Sequence, residues 1–275
     1  MDKTDRKCRV ITVSNQKGGV SKTTTAVNLR IGLARMGKKV LLLDIDPQGS
    51  LTASLGIREP DKLEETLASI ISSIMEGGEV EAGFGILTHE EGVQFLPANI
   101  DLAAVEVSLI SAMSREYMLK EYIETVAPYY DYIIADCMPS LGMLTINALA
   151  AADTVLIPLQ AQYLSLKGLE QLIATIMRIK KRINPALDFE GILLTMVDAR
   201  TNYAKDIMEM VHENYGRMIP VFENYIPLSV RVAETSAEGK SIFLHDPKGR
   251  AAMAYEILTK EVLSHGRQEK QRFQH

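Results

Sequence analysis

The residues best equipped for chemistry lie in one run near the start of the chain: Val10-Ile11-Thr12-Val13-Ser14-Asn15-Gln16-Lys17-Gly18-Gly19-Val20-Ser21-Lys22-Thr23-Thr24-Thr25. Its apolar opening reads as a β-strand, its middle as a glycine loop and its end as the first turn of a helix, an order that binds phosphate. Gly18 and Gly19 let backbone N–H groups approach an anion, and the helix N-terminus adds positive potential. Lys22 has the reach for β- and γ-phosphates, and Thr23 offers a hydroxyl to Mg²⁺. Gly18, Gly19, Val20, Ser21, Lys22, Thr23 and Thr24 are therefore the nucleotide-binding candidates, with ATP and Mg²⁺ as the expected ligands. The spacing G-x-x-x-x-G-K-[ST] is not met, because Gln16 and Ser21 hold its glycine positions. The match is to a lysine-led form, K-G-G-x-x-K-[ST], beginning at Lys17. If position 21 needs a positive φ, serine there is expected to reduce ATP affinity or turnover.

Three carboxylates close apolar runs elsewhere. Asp44 and Asp46 end the run 40–43, at the sheet edge where open α/β folds bind ligands, and alternation puts both on one face. Asp136 ends the run 132–135 at the same edge. Such groups hold the waters of a Mg²⁺ ion and orient an attacking water, and Asp136 is assigned to the ion's waters.

Short β-rich runs must carry these residues: 9–14, 40–44, 94–96, 132–136, 154–158, 191–196 and 221–226. Several are apolar at consecutive positions, as in strands covered on both faces. Helical periodicity fills 22–36, 102–113, 168–183, 203–215 and 250–263. The expected fold class is α/β: a doubly wound, mainly parallel sheet with helices on both faces, of the P-loop NTPase type. Residues 1–275 read as one domain, with 1–7 and 266–275 as flexible tails. The stretch 72–92 reads as a surface loop, and Asp246-Pro247 as the cap and first position of the last helix.

Taken together, residues 15–25, 40–50, 130–147, 154–159, 191–200 and 226–242 resemble the ParA/Soj partition ATPases, within a wider group that includes MinD and the nitrogenase iron protein. The resemblance spans nearly the whole chain. It implies that Lys17 reaches across a two-fold axis to the partner's phosphates, so that ATP joins a homodimer. It also implies that Asp46 positions the water, with Asp44 its neighbour on the metal side, and that Pro227 joins the nucleotide-binding set. Lys17, Lys22 and Asp46 are thus the catalytic candidates, and Thr23, Asp44 and Asp136 the metal candidates.

Within that group, two cysteines, Cys8 and Cys137, do not supply a shared iron–sulfur cluster, since Cys8 begins a strand about 20 Å from its phosphate end. They also make no disulfide framework, and a cytoplasmic setting is expected. The tail 264–275 has one Phe and no apolar stripe, which weighs against stable membrane attachment and a MinD-like role. With 35 acidic and 30 basic residues the formal charge is −5, so any contact with DNA must be local. The resemblance implies nonspecific double-stranded DNA binding by the ATP dimer, a nucleoid location in that state, and a ParB-like partner. Arg200, Arg231 and Lys240 are the DNA-binding candidates, while Leu228 stands where relatives often place an arginine. A nucleotide-gated binding module with negligible turnover is the alternative, on account of Ser21.

Overall fold

The computed structural model describes residues 8–272. Residues 1–7 and 273–275, within the expected tails, lie outside the described residues. The chain runs β1 (Arg9–Val13), α1 (Lys22–Arg35), β2 (Val40–Ile45), α2 (Ser50–Ser54), α3 (Leu67–Met75), β3 (Leu87–Thr88), β4 (Gln94–Leu96), α4 (Asp101–Leu109), α5 (Met118–Val126) and β5 (Tyr132–Cys137). It continues α6 (Met143–Ala151), β6 (Thr154–Gln160), α7 (Tyr163–Arg182), β7 (Asp188–Thr195), α8 (Asn202–Tyr215), α9 (Val230–Glu238), α10 (Ile242–His245) and α11 (Arg250–Arg272).

The strands form one sheet in the order β3-β4-β2-β5-β1-β6-β7. Every pairing is parallel except β3 with β4. Period-two alternation divides each strand between two cores. Leu41, Leu43, Ile133 and Ala135 pack under α3 to α8, whereas Leu42, Ile134, Ile11 and Val13 pack under α1, α2, α10 and α11. Both faces are thus dry, which is why residues 40–43 are apolar without a break; each such side chain contributes about 2 kcal/mol by burial.

Four expectations are corrected. Residues 221–226 form no strand, only single bridges from Val221 to Ile192 and from Pro227 to Val197. Pro220 and Pro227 lack the N–H that a continuous edge ladder needs. Asp246-Pro247 sits in a turn after α10, and α11 starts at Arg250. Residues 72–75 finish α3 and 87–88 form the antiparallel β3, so the loop within 72–92 is limited to 76–86 and 89–92. At the C-terminus, α11 continues through Gly266 to Arg272, where the sequence reads as a tail.

Candidate functional site

The loop between β1 and α1 sits at the carboxyl edge of the sheet, tied to β6 beside it and to β7 beyond. Ser14 N–H donates to Leu156 O at 3.1 Å, Asn15 Nδ2 to Pro158 O at 2.7 Å, and Thr195 Oγ1 to Val20 O at 3.1 Å. Two residues take left-handed backbone: Gly19 at φ 72° and Ser21 at φ 65°. The position that the sequence flagged does require positive φ, and serine there adopts it at a cost of about 1–2 kcal/mol. A Cβ at Gly18 or Gly19 meets nothing within 4 Å, so these exposed positions leave the loop open to a ligand.

Lys22 is buried at the start of α1 and curls back over the loop, its Nζ donating to Lys17 O at 3.2 Å. Burial holds its ammonium below the usual lysine value, and Asp136, Cys137 and Asp46 pull the other way. Thr23 Oγ1 donates to Asp136 Oδ2 at 2.6 Å. Asp136 is 1% exposed, and its Oδ1 is buried without a hydrogen-bond partner. Its carboxyl is pushed well above the usual range, first by burial and next by Asp44, its register partner across β2 and β5.

Asp44 lies differently from its expected role. Its Oδ2 accepts from Thr52 N–H at 2.8 Å and Thr52 Oγ1 at 2.7 Å, and its Oδ1 accepts from Asp46 N–H at 3.2 Å. Fully buried and raised to about 6, chiefly by desolvation, it fastens α2 and the Asp46 backbone. Asp46 follows β2, half-buried, with Oδ1 accepting from Gln48 N–H at 2.9 Å.

Three crowded carboxylates and a buried atom with no partner describe a place that a divalent cation would relieve. Among the described residues no group of three or more His, Cys, Asp or Glu side chains could hold a metal unaided. Mg²⁺ in such a setting takes water and substrate phosphate as its remaining ligands, so the residues fit Mg²⁺ brought in with a nucleotide.

Pro227 lies beyond β7, lining a cleft of about 590 Å³ with Val197, Asp198, Leu228, Arg250 and Ala254, a size suited to a nucleoside. A family model described as an AAA domain matches residues 8–189. The chain is 45% identical to the sporulation initiation inhibitor protein Soj of Bacillus subtilis, over 94% of this chain and 99% of that one. The chain belongs to the ParA/Soj family of partition ATPases. It is also 43% identical to the chromosome partitioning protein ParA of Myxococcus xanthus, over 93% of this chain and 88% of that one. Among solved structures, a Mycobacterium smegmatis protein described as cobyrinic acid a,c-diamide synthase, with bound ADP and magnesium, matches at TM-score 0.82 and 37% identity, covering 94% of this chain and 96% of that one.

For this ParA/Soj chain, the structure gathers Lys17, Gly18, Gly19, Val20, Ser21, Lys22, Thr23, Thr24, Asp46 and Asp136 around one loop. The DNA-binding candidates are not part of the loop, although Arg200 lines the Pro227 cleft and Lys240 a small pocket with Thr24; each is exposed and already ion-paired, Arg200 with Asp198 at 2.8 Å, Arg231 with Glu234 at 3.1 Å, and Lys240 with Glu238 at 3.0 Å. Sequence reasoning missed Thr52, which holds Asp44, and Gln160, Gln162 and Ser165, which hold Lys17. The available signal was Gln160, a polar residue ending the apolar run 154–159 at the same edge as the aspartates.

Proposed function

We propose that this chain is an ATP-dependent dimeric switch of the ParA type. With Mg-ATP bound, two copies pair, and the pair binds double-stranded DNA on the nucleoid without sequence preference. Slow hydrolysis to ADP and phosphate, on contact with a ParB-like partner, returns the copies to the single state. The name of the Myxococcus xanthus relative, chromosome partitioning protein ParA, supports a role in chromosome partitioning.

One observation carries the reading: the free, buried Oδ1 of Asp136 beside the Thr23 hydroxyl, at the mouth of a loop closed by Lys22. When bound, Mg-ATP supplies the γ-phosphoryl group and the cation that offsets its charge. Backbone N–H groups of residues 18–22 would hold the phosphates, and Lys22, now bonded to Lys17 O, would serve a phosphate oxygen. Thr23 and Asp136 would hold the cation and its waters. Asp44 acts on Asp46 through the backbone, and Asp46 orients the attacking water. The cleft at Pro227 takes the base.

In excess Mg-ATP, Lys17→Ala is expected to abolish pairing while Asp46→Ala leaves a stable ATP dimer, as read by light scattering after gel filtration. A single-copy Asp46→Ala protein would sink the reading. The left-handed Ser21 favours a second reading, a nucleotide-gated module with negligible turnover. Phosphate release measured with and without DNA and partner separates the two.

A further inference from the structure

Lys17 is engaged before any second copy arrives. Its Nζ donates to Gln160 Oε1 at 3.3 Å, Gln162 Oε1 at 3.0 Å and Ser165 Oγ at 3.2 Å. An ammonium has three N–H donors, and all three are matched within the same chain. The acceptors come from one junction: Gln160 closes β6, Gln162 is the residue before α7, and Ser165 lies in its first turn with its N–H bonded to Gln162 O at 3.0 Å. Ser165 is 2% exposed, so the hydroxyl is fixed in place by packing. The Lys17 backbone is held too, its N–H donating to Asn15 Oδ1 at 3.0 Å.

The electrostatics of this hold are weaker than its geometry. None of the three acceptors carries a formal charge, and the ammonium sits at the N-terminal end of the 20-residue α7, where the helix dipole disfavours a cation. Hydrogen bonds from an ammonium to neutral oxygens yield to phosphate oxygens, which are charged and accept more strongly.

We propose that Gln160, Gln162 and Ser165 form a cradle that parks Lys17 on its own subunit and sets the ATP concentration at which two copies pair. The proposal rests on the dimer reading above. Lys17 cannot reach a facing nucleotide until all three bonds are broken, so only the fraction of molecules with Lys17 released is competent to pair, and the apparent affinity of pairing falls by that fraction. These are positioning residues, acting through Lys17.

The test titrates pairing of the full chain with Mg-ATP by analytical ultracentrifugation, in the Asp46→Ala background so that hydrolysis does not drain the pair. Gln162→Ala combined with Ser165→Ala removes two acceptors and is expected to lower the half-maximal ATP concentration about tenfold. Gln162→Glu sets a carboxylate against the ammonium and is expected to raise it by a similar factor. ATP affinity of the single-copy Lys17→Ala chain should be the same with and without either change, which a merely structural role for these residues would not predict. Shifts in the same direction for both variants, or no shift in either, overturn the cradle while leaving the dimer reading intact. A parent protein that binds ATP yet never pairs overturns both, and is seen before any variant is made.

Discussion

At the scale of single residues, Ser21 is the sharpest departure from expectation for a phosphate loop, since it holds φ 65° and ψ 31° where glycine would be unstrained. Ser21→Gly is expected to raise the unfolding free energy by about 1 kcal/mol in urea melts without changing the slope. An unchanged midpoint would mean that the chain relaxes the loop by other means. The strand–loop–helix geometry of this loop was legible because Lys17, Lys22 and Thr23 are spaced along one run, so one dimension sufficed. The aspartates were legible in place but not all in role. Asp44 looks from the sequence like a metal-side group, yet its oxygens are committed to Thr52 and to the Asp46 N–H, whereas Asp136 keeps a buried oxygen without a partner. The acceptors of Lys17 were legible only through Gln160, and not as its partners. They stand 143 or more positions away, and serine at a helix start is common for capping reasons alone.

At the scale of elements, strands buried on both faces announce themselves by unbroken apolar runs, and six of the seven expected runs are strands. The seventh, 221–226, has a strand-like composition, but prolines on either side stop its ladder, so it hangs on the sheet edge by isolated bonds such as Phe222 N–H to Ile192 O at 3.0 Å. Helix α11 shows what a linear reading cannot see. It crosses α1 so closely that a Cβ on Gly32 would overlap the Thr259 hydroxyl, itself buried and bonded to Tyr255 O at 2.7 Å. Gly32→Ala is expected to cost about 1–3 kcal/mol in equilibrium unfolding, because neither helix can withdraw from a packed face. Toward its other end, His265 Nδ1 meets Glu190 at 3.2 Å and its ring stacks on Phe222 at 5.7 Å. Buried Glu190 on β7 also binds Arg9 at 2.9 Å and Thr154 at 2.6 Å. The imidazolium is favoured first by the Glu190 bond, opposed by desolvation and by Arg9, and helped by Glu261, so its pKa lies above the ordinary 6.5. A raised folded-state pKa stabilises fully below pH 6.5 and loses that contribution as pH climbs through the folded value. The melting temperature of His265→Gln should therefore fall furthest below the parent at pH 6 or less and approach it at higher pH; a gap independent of pH would show that this clasp does not titrate.

At the scale of the whole molecule, the phosphate loop and the aspartates share the carboxyl edge of the sheet, and the DNA-binding candidates belong to the segments after β7 and around α9, where Arg200 lines the same cleft as Pro227. With a formal charge of −5 the chain has no general attraction for polyanions, so nonspecific binding must come from local cations. Each candidate cation is covered by a carboxylate of its own chain. Asp198 grips Arg200 through two bonds of 2.8 Å, and that grip holds the Asp198 carboxyl down at about 2. Glu234 and Glu238 cover Arg231 and Lys240, and both are joined to His245, at 2.9 and 3.4 Å. These pairs are exposed, and exposed pairs contribute only about 0–1 kcal/mol, so a DNA phosphate can displace the carboxylates at little cost. Their effect is rather to cap affinity, because each phosphate contact must first expel a like charge. Glu234→Gln together with Glu238→Gln should then strengthen binding of the ATP dimer to random duplex DNA and steepen the plot of log affinity against log salt by about 1–2. Arg231→Glu should move both quantities the other way. A salt series by electrophoretic mobility shift reads them directly. If the double glutamine variant binds with the parent's affinity and slope, DNA contacts a different face of the dimer, and Leu228 and Val230, 58% and 76% exposed beside Arg231, serve something other than a nucleic acid.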